Sequence, residues 1–148
     1  MCFEQTMTAK ILDGAKLAKS IRVKLEQETR DWVSKGNRRP GLAVVLVGDD
    51  PASEVYVKGK ERDCKEVGYY SRIEKIPTTV TQRELEEAVR SLNSDDTIDG
   101  LLVQTPLPEH IDEDRIVDLI DPKKDVDGFH PYNMGRLAIR RPALRCCT

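Results

Sequence analysis

Long apolar runs are missing from this chain, and its first ten residues lack the pattern of a signal peptide. The longest uninterrupted apolar stretch is Leu42–Val47, far short of the roughly 18 residues that indicate a membrane span. The opening MCFEQTMTAK has neither the basic flank nor the apolar core of a signal peptide. We therefore expect a cytoplasmic protein with no membrane partner.

Metal-ligand and disulfide patterns are also missing. The four cysteines, Cys2, Cys64, Cys146 and Cys147, form no C-x-x-C pair, and the two histidines lie far apart in the chain. Reduced thiols and no bound metal are the expectation. The net charge of −2 argues against a nucleic-acid partner, because such a surface would be distinctly basic.

Glycine motifs for nucleotides are absent as well. The nine glycines never fall as G-x-G-x-x-G or as a Walker loop, so no dinucleotide or triphosphate cradle is expected from these residues. G-x-S-x-G is missing too, so this chain lacks the nucleophile motif of the α/β-hydrolases.

Helical and strand patterns alternate along the chain. The spacing of apolar residues predicts four helices, which start at Asp13, cover 51–67, follow the Thr81–Glu84 capping box and cover 112–120. The first of them carries an apolar stripe formed by Leu17, Ile21, Leu25 and Trp32. Strands are predicted over 42–47, 69–76 and 99–104. This order is typical of an α/β fold with a mostly parallel sheet and helices on both faces, a three-layer α/β/α arrangement. The tail after Ile120 is predicted to be rich in loops.

The stretch Asp50–Lys60 concentrates the candidate chemistry. Asp50 and Pro51 can start a helix directly after the apolar strand, and that helix carries Tyr56 and Lys60 on one face, near its start. A phenol beside an amine at this point is a plausible acid/base pair, so Tyr56 and Lys60 are both candidate catalytic residues. Open α/β sheets bind ligands at this edge. A lysine amine drawn partly out of water exchanges its proton near neutral pH. The plainer alternatives are a solvated surface lysine and a tyrosine that belongs to the core.

The Y-x-x-x-K spacing also occurs in short-chain dehydrogenases, where the tyrosine is the acid. That family needs a glycine-rich nucleotide loop far upstream, and this chain has no room for one before Tyr56. The Y-x-x-x-K spacing alone is therefore weak evidence for a catalytic tyrosine and lysine.

Gln104 ends the third predicted strand, just before T-P-L-P. A buried amide must find hydrogen-bond partners, and parallel strands end at the same edge, so Gln104 could reach Lys60. The alternative is a strand end that faces solvent.

Asp125 and Asp127, in K-D-V-D-G, form an acidic pair. Carboxylates there could bind a cation or adjacent N–H donors, or the pair could simply be a turn.

Four motifs in this order resemble one known family. P-A-S-E-V-Y-V-K-G-K, D-G-L-L-V-Q-T-P-L-P, K-D-V-D-G-F-H-P-Y-N-M-G-R-L and L-R-C-C-T are similar to the bifunctional methylenetetrahydrofolate dehydrogenase/methenyltetrahydrofolate cyclohydrolases. The resemblance extends from about Ala9 to Thr148. It implies the NADP-dependent interconversion of 5,10-methylene-, 5,10-methenyl- and 10-formyltetrahydrofolate in one-carbon metabolism and purine biosynthesis, by an intact protein that is a homodimer.

The resemblance also implies residue roles. Lys60 would be the acid/base group of the cyclohydrolase step, Gln104 would hydrogen-bond it, Tyr56 would pack against the folate, and Asp127 would bind the N–H edge of the pterin. Further substrate-binding residues implied in the same way line the cleft: Val103, Pro106, Leu107 and Pro108.

Three departures from the family pattern stand out. Thr105 replaces a common leucine, Cys146 replaces a proline, and the chain stops where the NADP-binding Rossmann domain of the family would begin. The expected division is an extension over 1–8, a folate-binding catalytic domain over 9–140 and the start of a linker over 141–148, as an expressed fragment or a truncated gene product. NADP would then bind to the missing domain, and this chain alone would lack dehydrogenase activity.

Two other function classes stay open at this point. A non-catalytic folate-binding module would bind without turnover and would be indifferent to the loss of Lys60. The substrate domain of an amino-acid dehydrogenase shares the architecture, but it has no use for Gln104 and Asp127 together.

Overall fold

The computed structural model describes residues 11–145. Predictions about the extension over 1–8, about Cys2, Cys146 and Cys147, and about the last residues of the linker lie outside this range. The elements in chain order are α1 (Gly14–Ser34), β1 (Gly41–Val47), α2 (Pro51–Val67), β2 (Tyr70–Ile76), α3 (Gln82–Asn93), β3 (Gly100–Gln104), α4 (Glu113–Leu119) and α5 (Pro131–Ala138).

The three strands form one parallel sheet in the order β2-β1-β3. Val44, in the middle of β1, lies opposite Ile73 of β2 and Leu102 of β3. Both edges of β1 are paired and helices cover both of its faces, which is why β1 is apolar at nearly every position. The predicted α/β class with a parallel sheet is confirmed.

Alternate residues of β1 enter two separate cores. On one face, Val45 and Val47 pack with the buried residues of α3 and α4, among them Leu85, Val89 and Ile116. On the other face, Val44 and Leu46 pack with Val57 of α2. Helices therefore cover both faces of the sheet, as the sequence predicts.

Local capping fixes where the helices begin and end. The Asp50 carboxylate accepts a hydrogen bond from the Ser53 backbone N–H at 2.7 Å, and this bond lowers the pKa of Asp50. Thr81 and Glu84 form the predicted capping box. Gly68 ends α2 with a φ of 80°, a left-handed conformation that glycine adopts without strain.

The outer edge of β3 carries the segment that follows α4. The Leu101 backbone N–H donates to the Lys124 carbonyl at 2.7 Å, and Leu101 forms a parallel bridge with Asp125. The Lys124 ammonium also donates to the Asp95 carbonyl at 2.9 Å. These bonds anchor the acidic pair beside the sheet.

Helix α1 forms as predicted, with Asp13 as its cap, but its apolar stripe is not buried. Leu17, Ile21 and Trp32 are 61%, 49% and 51% exposed. The reason is that α1 packs on α2 rather than on the sheet. In this contact Arg22 of α1 pairs with Glu66 of α2 at 3.0 Å. Within residues 11–145, no helix is long and apolar enough to cross a membrane.

The prediction of a loop-rich tail is wrong over one segment, because the chain forms α5 there. Pro131 is the first helical residue, a position where its missing N–H costs nothing, and His130 Nδ1 accepts from the Tyr132 backbone N–H at 3.0 Å. Residues 139–145 form no helix or strand.

Candidate functional site

The carboxyl end of the sheet brings Lys60 and Gln104 together. The Lys60 ammonium donates to Gln104 Oε1 at 2.9 Å. Lys60 lies in the third turn of α2, farther from the helix start than predicted. Side chains on a helix lean toward its amino terminus, so the long lysine side chain still reaches the sheet edge.

A second hydrogen bond fixes the direction of the Gln104 amide. Gln104 Nε2 donates to the Thr105 carbonyl at 2.9 Å. Because an amide has one donor end and one acceptor end, this bond leaves Oε1 toward Lys60. Both side chains are half-buried, so the pair is partly shielded but remains open to a ligand.

Tyr56 lies one helical turn before Lys60 and faces outward. Its side chain is 66% exposed, so it is not the core residue that the plainer reading allowed. The Lys60 ammonium lies 6.0 Å from the centroid of the Tyr56 ring, near the limit of a cation–π contact. The ring presents a free aromatic surface beside the amine.

Asp127 lies near the same lysine. Burial raises the pKa of the Asp127 carboxyl, the Lys60 ammonium lowers it, and the neighbouring Asp125 carboxylate raises it. Asp127 lines a cavity of about 50 Å³, together with two residues predicted for the cleft, Val103 and Leu107. This is a small pocket for a half-buried acid.

The other predicted cleft residues lie in the loop after β3. Pro106 is exposed and Pro108 is half-buried, and neither is among the residues around the small cavity. The Thr105–Pro106 peptide bond is cis. Thr105, which replaces a common leucine of the resembling family, lines the cavity beside Val103.

A larger groove opens on the other side of Lys60. It measures about 460 Å³ and is mostly apolar. Its walls come from α1, α2, the amino ends of β1 and β3, and Val126 of the segment after α4, and they include Leu25, Leu42 and Val67. Lys60 lines this groove too. Its polar end, however, is directed to Gln104 at the sheet edge, where the candidate chemistry lies.

Two buried polar residues were not assigned to the site from the sequence. The sequence indicates Asp125 only as a member of an acidic pair, and Asn133 lies in α5, where the sequence predicts a loop. They are 2% and 3% exposed and are joined by an Asn133 Nδ2–Asp125 Oδ2 hydrogen bond of 2.9 Å. The proline after His130, a helix-start signal, could have revealed α5 but not this contact.

Metal and nucleotide sites find little support in the described residues. Over 11–145, no group of three or more His, Cys, Asp or Glu side chains could hold a metal ion.

The turn between β1 and α2, where doubly wound folds hold a pyrophosphate, carries Asp49 and Asp50. A Cβ on Gly48 would lie 2.6 Å from the Thr78 methyl group. The turn is thus acidic, and the space beside the Gly48 Cα is occupied by Thr78, so the turn is a poor site for a nucleotide phosphate.

Comparison with known proteins gives the same indication as the motifs. Residues 12–127 match the family described as "Tetrahydrofolate dehydrogenase/cyclohydrolase, catalytic domain". That match covers well over half of the chain. The chain belongs to the tetrahydrofolate dehydrogenase/cyclohydrolase family.

Solved structures with the same fold come from several organisms. The bifunctional methylenetetrahydrofolate dehydrogenase/cyclohydrolase FolD of Campylobacter jejuni is 42% identical with a TM-score of 0.90, covering 93% of this chain and 49% of its own. A 5,10-methylenetetrahydrofolate dehydrogenase of the silkworm Bombyx mori is 43% identical with a TM-score of 0.90, covering 93% and 47%. The Trypanosoma brucei dehydrogenase-cyclohydrolase, solved with NADP and an inhibitor, is 35% identical with a TM-score of 0.86, covering 91% and 46%.

This member of the tetrahydrofolate dehydrogenase/cyclohydrolase family spans about half the length of those solved chains. The family match and the fold therefore concern the catalytic domain. The division of the chain at residues 9 and 140 stays a prediction.

Proposed function

We propose that this chain supplies the folate site and the catalytic lysine for the interconversion of 5,10-methylene-, 5,10-methenyl- and 10-formyltetrahydrofolate. The observation that carries the proposal is the 2.9 Å hydrogen bond from the Lys60 ammonium to Gln104. This bond supports the proposal because it fixes the direction of a lysine amine at a sheet edge, near an exposed aromatic ring and a half-buried acid.

Lys60 acts as the proton carrier of the cyclohydrolase step. Water forms a bond from its oxygen to the methenyl carbon, and the bond from that carbon to N5 then breaks. The amine of Lys60 takes a proton from the attacking water, and its ammonium returns one to N5 as the ring opens. One proton is released overall because the methenyl cation becomes a neutral formyl amide.

Gln104 orients that proton carrier. Its amide is fixed by the Thr105 carbonyl, so the carbonyl oxygen stays directed at Lys60 while the lysine changes its protonation state. A free lysine side chain would sample several rotamers, and a fixed one keeps the short distances that proton transfer needs.

Tyr56 and Asp127 bind the substrate. The exposed face of the Tyr56 ring offers a stacking surface for the flat pterin. The Asp127 carboxylate can accept two hydrogen bonds from adjacent N–H groups, which the pterin edge presents. Val103, Leu107 and the prolines of the loop after β3 complete the apolar side of the cleft.

The nucleotide binds elsewhere in the intact protein. The β1–α2 turn of this chain is a poor site for a pyrophosphate, so we assign NADP to sequence outside these residues. The dehydrogenase reaction is consequently not expected from this chain alone, and no reduced cofactor should form above background.

The direct test is a titration of this chain with 5,10-methenyltetrahydrofolate, following binding heat and the loss of methenyl absorbance. Lys60→Met should abolish the absorbance loss, whereas Lys65→Met, an exposed lysine of the same helix, should leave it unchanged. Equal turnover in the wild type and in Lys60→Met would refute the role of Lys60. Binding without turnover in the wild type would instead favour a non-catalytic folate-binding fragment.

We further assign the intact protein to the cytoplasm and to a homodimer. The family membership supports a role as a metabolic enzyme that acts on a small soluble substrate. Cell fractionation and sedimentation of the full-length protein would test both assignments. A monomer at micromolar concentration would overturn the second.

A further inference from the structure

The loop that carries Asp127 is held by a buried hydrogen-bond network. Asp125 accepts from the Gly128 backbone N–H at 2.9 Å and from the His130 backbone N–H at 3.0 Å. It also accepts from Asn133 Nδ2 at 2.9 Å. Three donors on one buried carboxylate compensate for its removal from water.

Asn133 ties this loop to α5. Its side-chain amide also donates to the Pro122 carbonyl at 2.8 Å, so one residue binds both ends of the loop. With the Leu101–Asp125 bridge to β3, the backbone on either side of Asp127 is fixed to the sheet and to a helix. Asp127 itself makes none of these bonds, and its carboxyl remains available in the cavity.

We propose that Asp125 and Asn133 are positioning residues that hold the Asp127 carboxylate in the cavity beside β3. The inference rests on the proposed function, in which Asp127 binds the substrate. Neither residue touches the substrate. Asp125 fixes the turn through Gly128 and His130, and Asn133 holds Asp125 in place.

The same arrangement also affects the ionisation of the Asp127 carboxyl. Asp125 and Glu113 line the same cavity as Asp127, and the charges of Lys60 and Asp125 both act on the Asp127 carboxyl. Burial is the main cause of the raised pKa of Asp127, and the nearby Asp125 carboxylate adds to it, because two like charges close together oppose each other. Loosening the loop would expose Asp127 to water and lower its pKa.

The first experiment measures Asp127 without any ligand. The Asp127 carboxyl carbon is titrated by NMR in the wild type, in Asn133→Ala and in Asp125→Asn. The control is Asn37→Ala, which removes an amide donor to the Trp32 carbonyl in the turn before β1, away from the cavity. The Asp127 pKa should fall toward its ordinary value in both loop variants and not in the control. Unchanged titration in both folded loop variants would overturn the inference.

The second experiment measures binding of 5,10-methenyltetrahydrofolate. Asn133→Ala should weaken binding about tenfold, the usual effect of a loosened hydrogen-bonded group, with the affinity in Asn37→Ala unchanged. In an Asp127→Asn background, Asn133→Ala should have almost no further effect, because the carboxylate that it positions is gone. If the effects of Asn133→Ala and Asp127→Asn on binding are fully additive, Asn133 is merely structural, and the inference is contradicted.

The two experiments separate the inference from the function on which it rests. If the wild-type chain does not bind the folate but the Asp127 titration shifts as expected, the proposed function fails and the positioning role stands. If the wild type binds and both loop variants behave like it, the positioning role fails alone. If Asn133→Ala or Asp125→Asn does not fold, the other variant is used, because both alter the Asp125–Asn133 hydrogen bond.

Discussion

Lys60 and Gln104 meet across 44 residues of sequence at a distance of 2.9 Å. One comes from the middle of a helix and the other from the end of a strand. Parallel strands and their crossover helices place such residues at a common edge. The pair thus depends on the whole α/β arrangement rather than on any local motif.

Gln104→Ala should slow methenyltetrahydrofolate hydrolysis about 10- to 100-fold, the scale of a lost orienting contact to a proton carrier. Substrate affinity should change much less, because the variant removes no group assigned to binding. Stopped-flow absorbance gives the rate, and calorimetry gives the affinity. Gln27→Ala, which removes an exposed amide of α1, should leave both values unchanged, and equal rates for the two variants would contradict the role of Gln104.

Tyr56→Ala should weaken folate binding about 2- to 12-fold, the usual range for losing one aromatic stacking partner. Tyr56→Phe keeps the ring and should bind like the wild type. Fluorescence or calorimetric titration measures the difference. Tyr70→Ala, at the exposed start of β2, is the matched control. If the phenylalanine variant binds as weakly as the alanine variant, the hydroxyl rather than the ring is the binding group.

Asp127→Asn should modestly stabilise the folded chain at pH 7, because it removes a half-buried charge that is costly to keep away from water. Burial raises the folded pKa of Asp127, so ionisation favours the unfolded state once the pH exceeds the unfolded pKa of about 3.9. Below that pH the carboxyl is neutral in both states and the advantage disappears. Urea unfolding at pH 3.5 and pH 7 tests this, and an equal difference at both pH values would be the contrary result.

Leu101→Ala and Leu17→Ala should differ sharply in stability although both remove a leucine side chain. Leu101 is fully buried in β3, and its truncation should cost about 2–5 kcal/mol. Leu17 is 61% exposed, so its truncation should cost about 0.5 kcal/mol or less. Urea unfolding of this chain measures both. A large loss for Leu17→Ala would mean that the outer stripe of α1 is covered in solution.

The sequence predicts this fold well where the signals are local. Asp50 with Pro51, Thr81 with Glu84, and Gly68 each act within one helical turn, and each lies where the capping rules put it. The apolar character of β1 likewise indicates a central strand. Short-range hydrogen bonding decides such features, and the residues that make them are adjacent in sequence.

The features that sequence does not predict are decided by distant contacts. The stripe through Leu17 and Ile21 indicates a helix, but which surface covers it depends on how α1 packs. Helix α5 is short and contains Gly135, a poor helix former, so its pattern is weak. The Asp125–Asn133 contact needs both the loop and that helix. The roles of Lys60, Tyr56, Gln104 and Asp127 stay predictions until the variants are measured.

The strand order has a consequence for synthesis of the chain on the ribosome. β1 emerges first, yet Leu42 finds its partners only when Ser71 of β2 and Gly100 of β3 have emerged. Before β2 emerges, the segment Leu42–Val47 is an uncharged apolar strand with both edges unpaired, and one edge stays unpaired until β3 emerges; such segments associate with copies of themselves. Nascent-chain length thus sets a window of aggregation risk, which closes only when the sequence through Gln104 can pair.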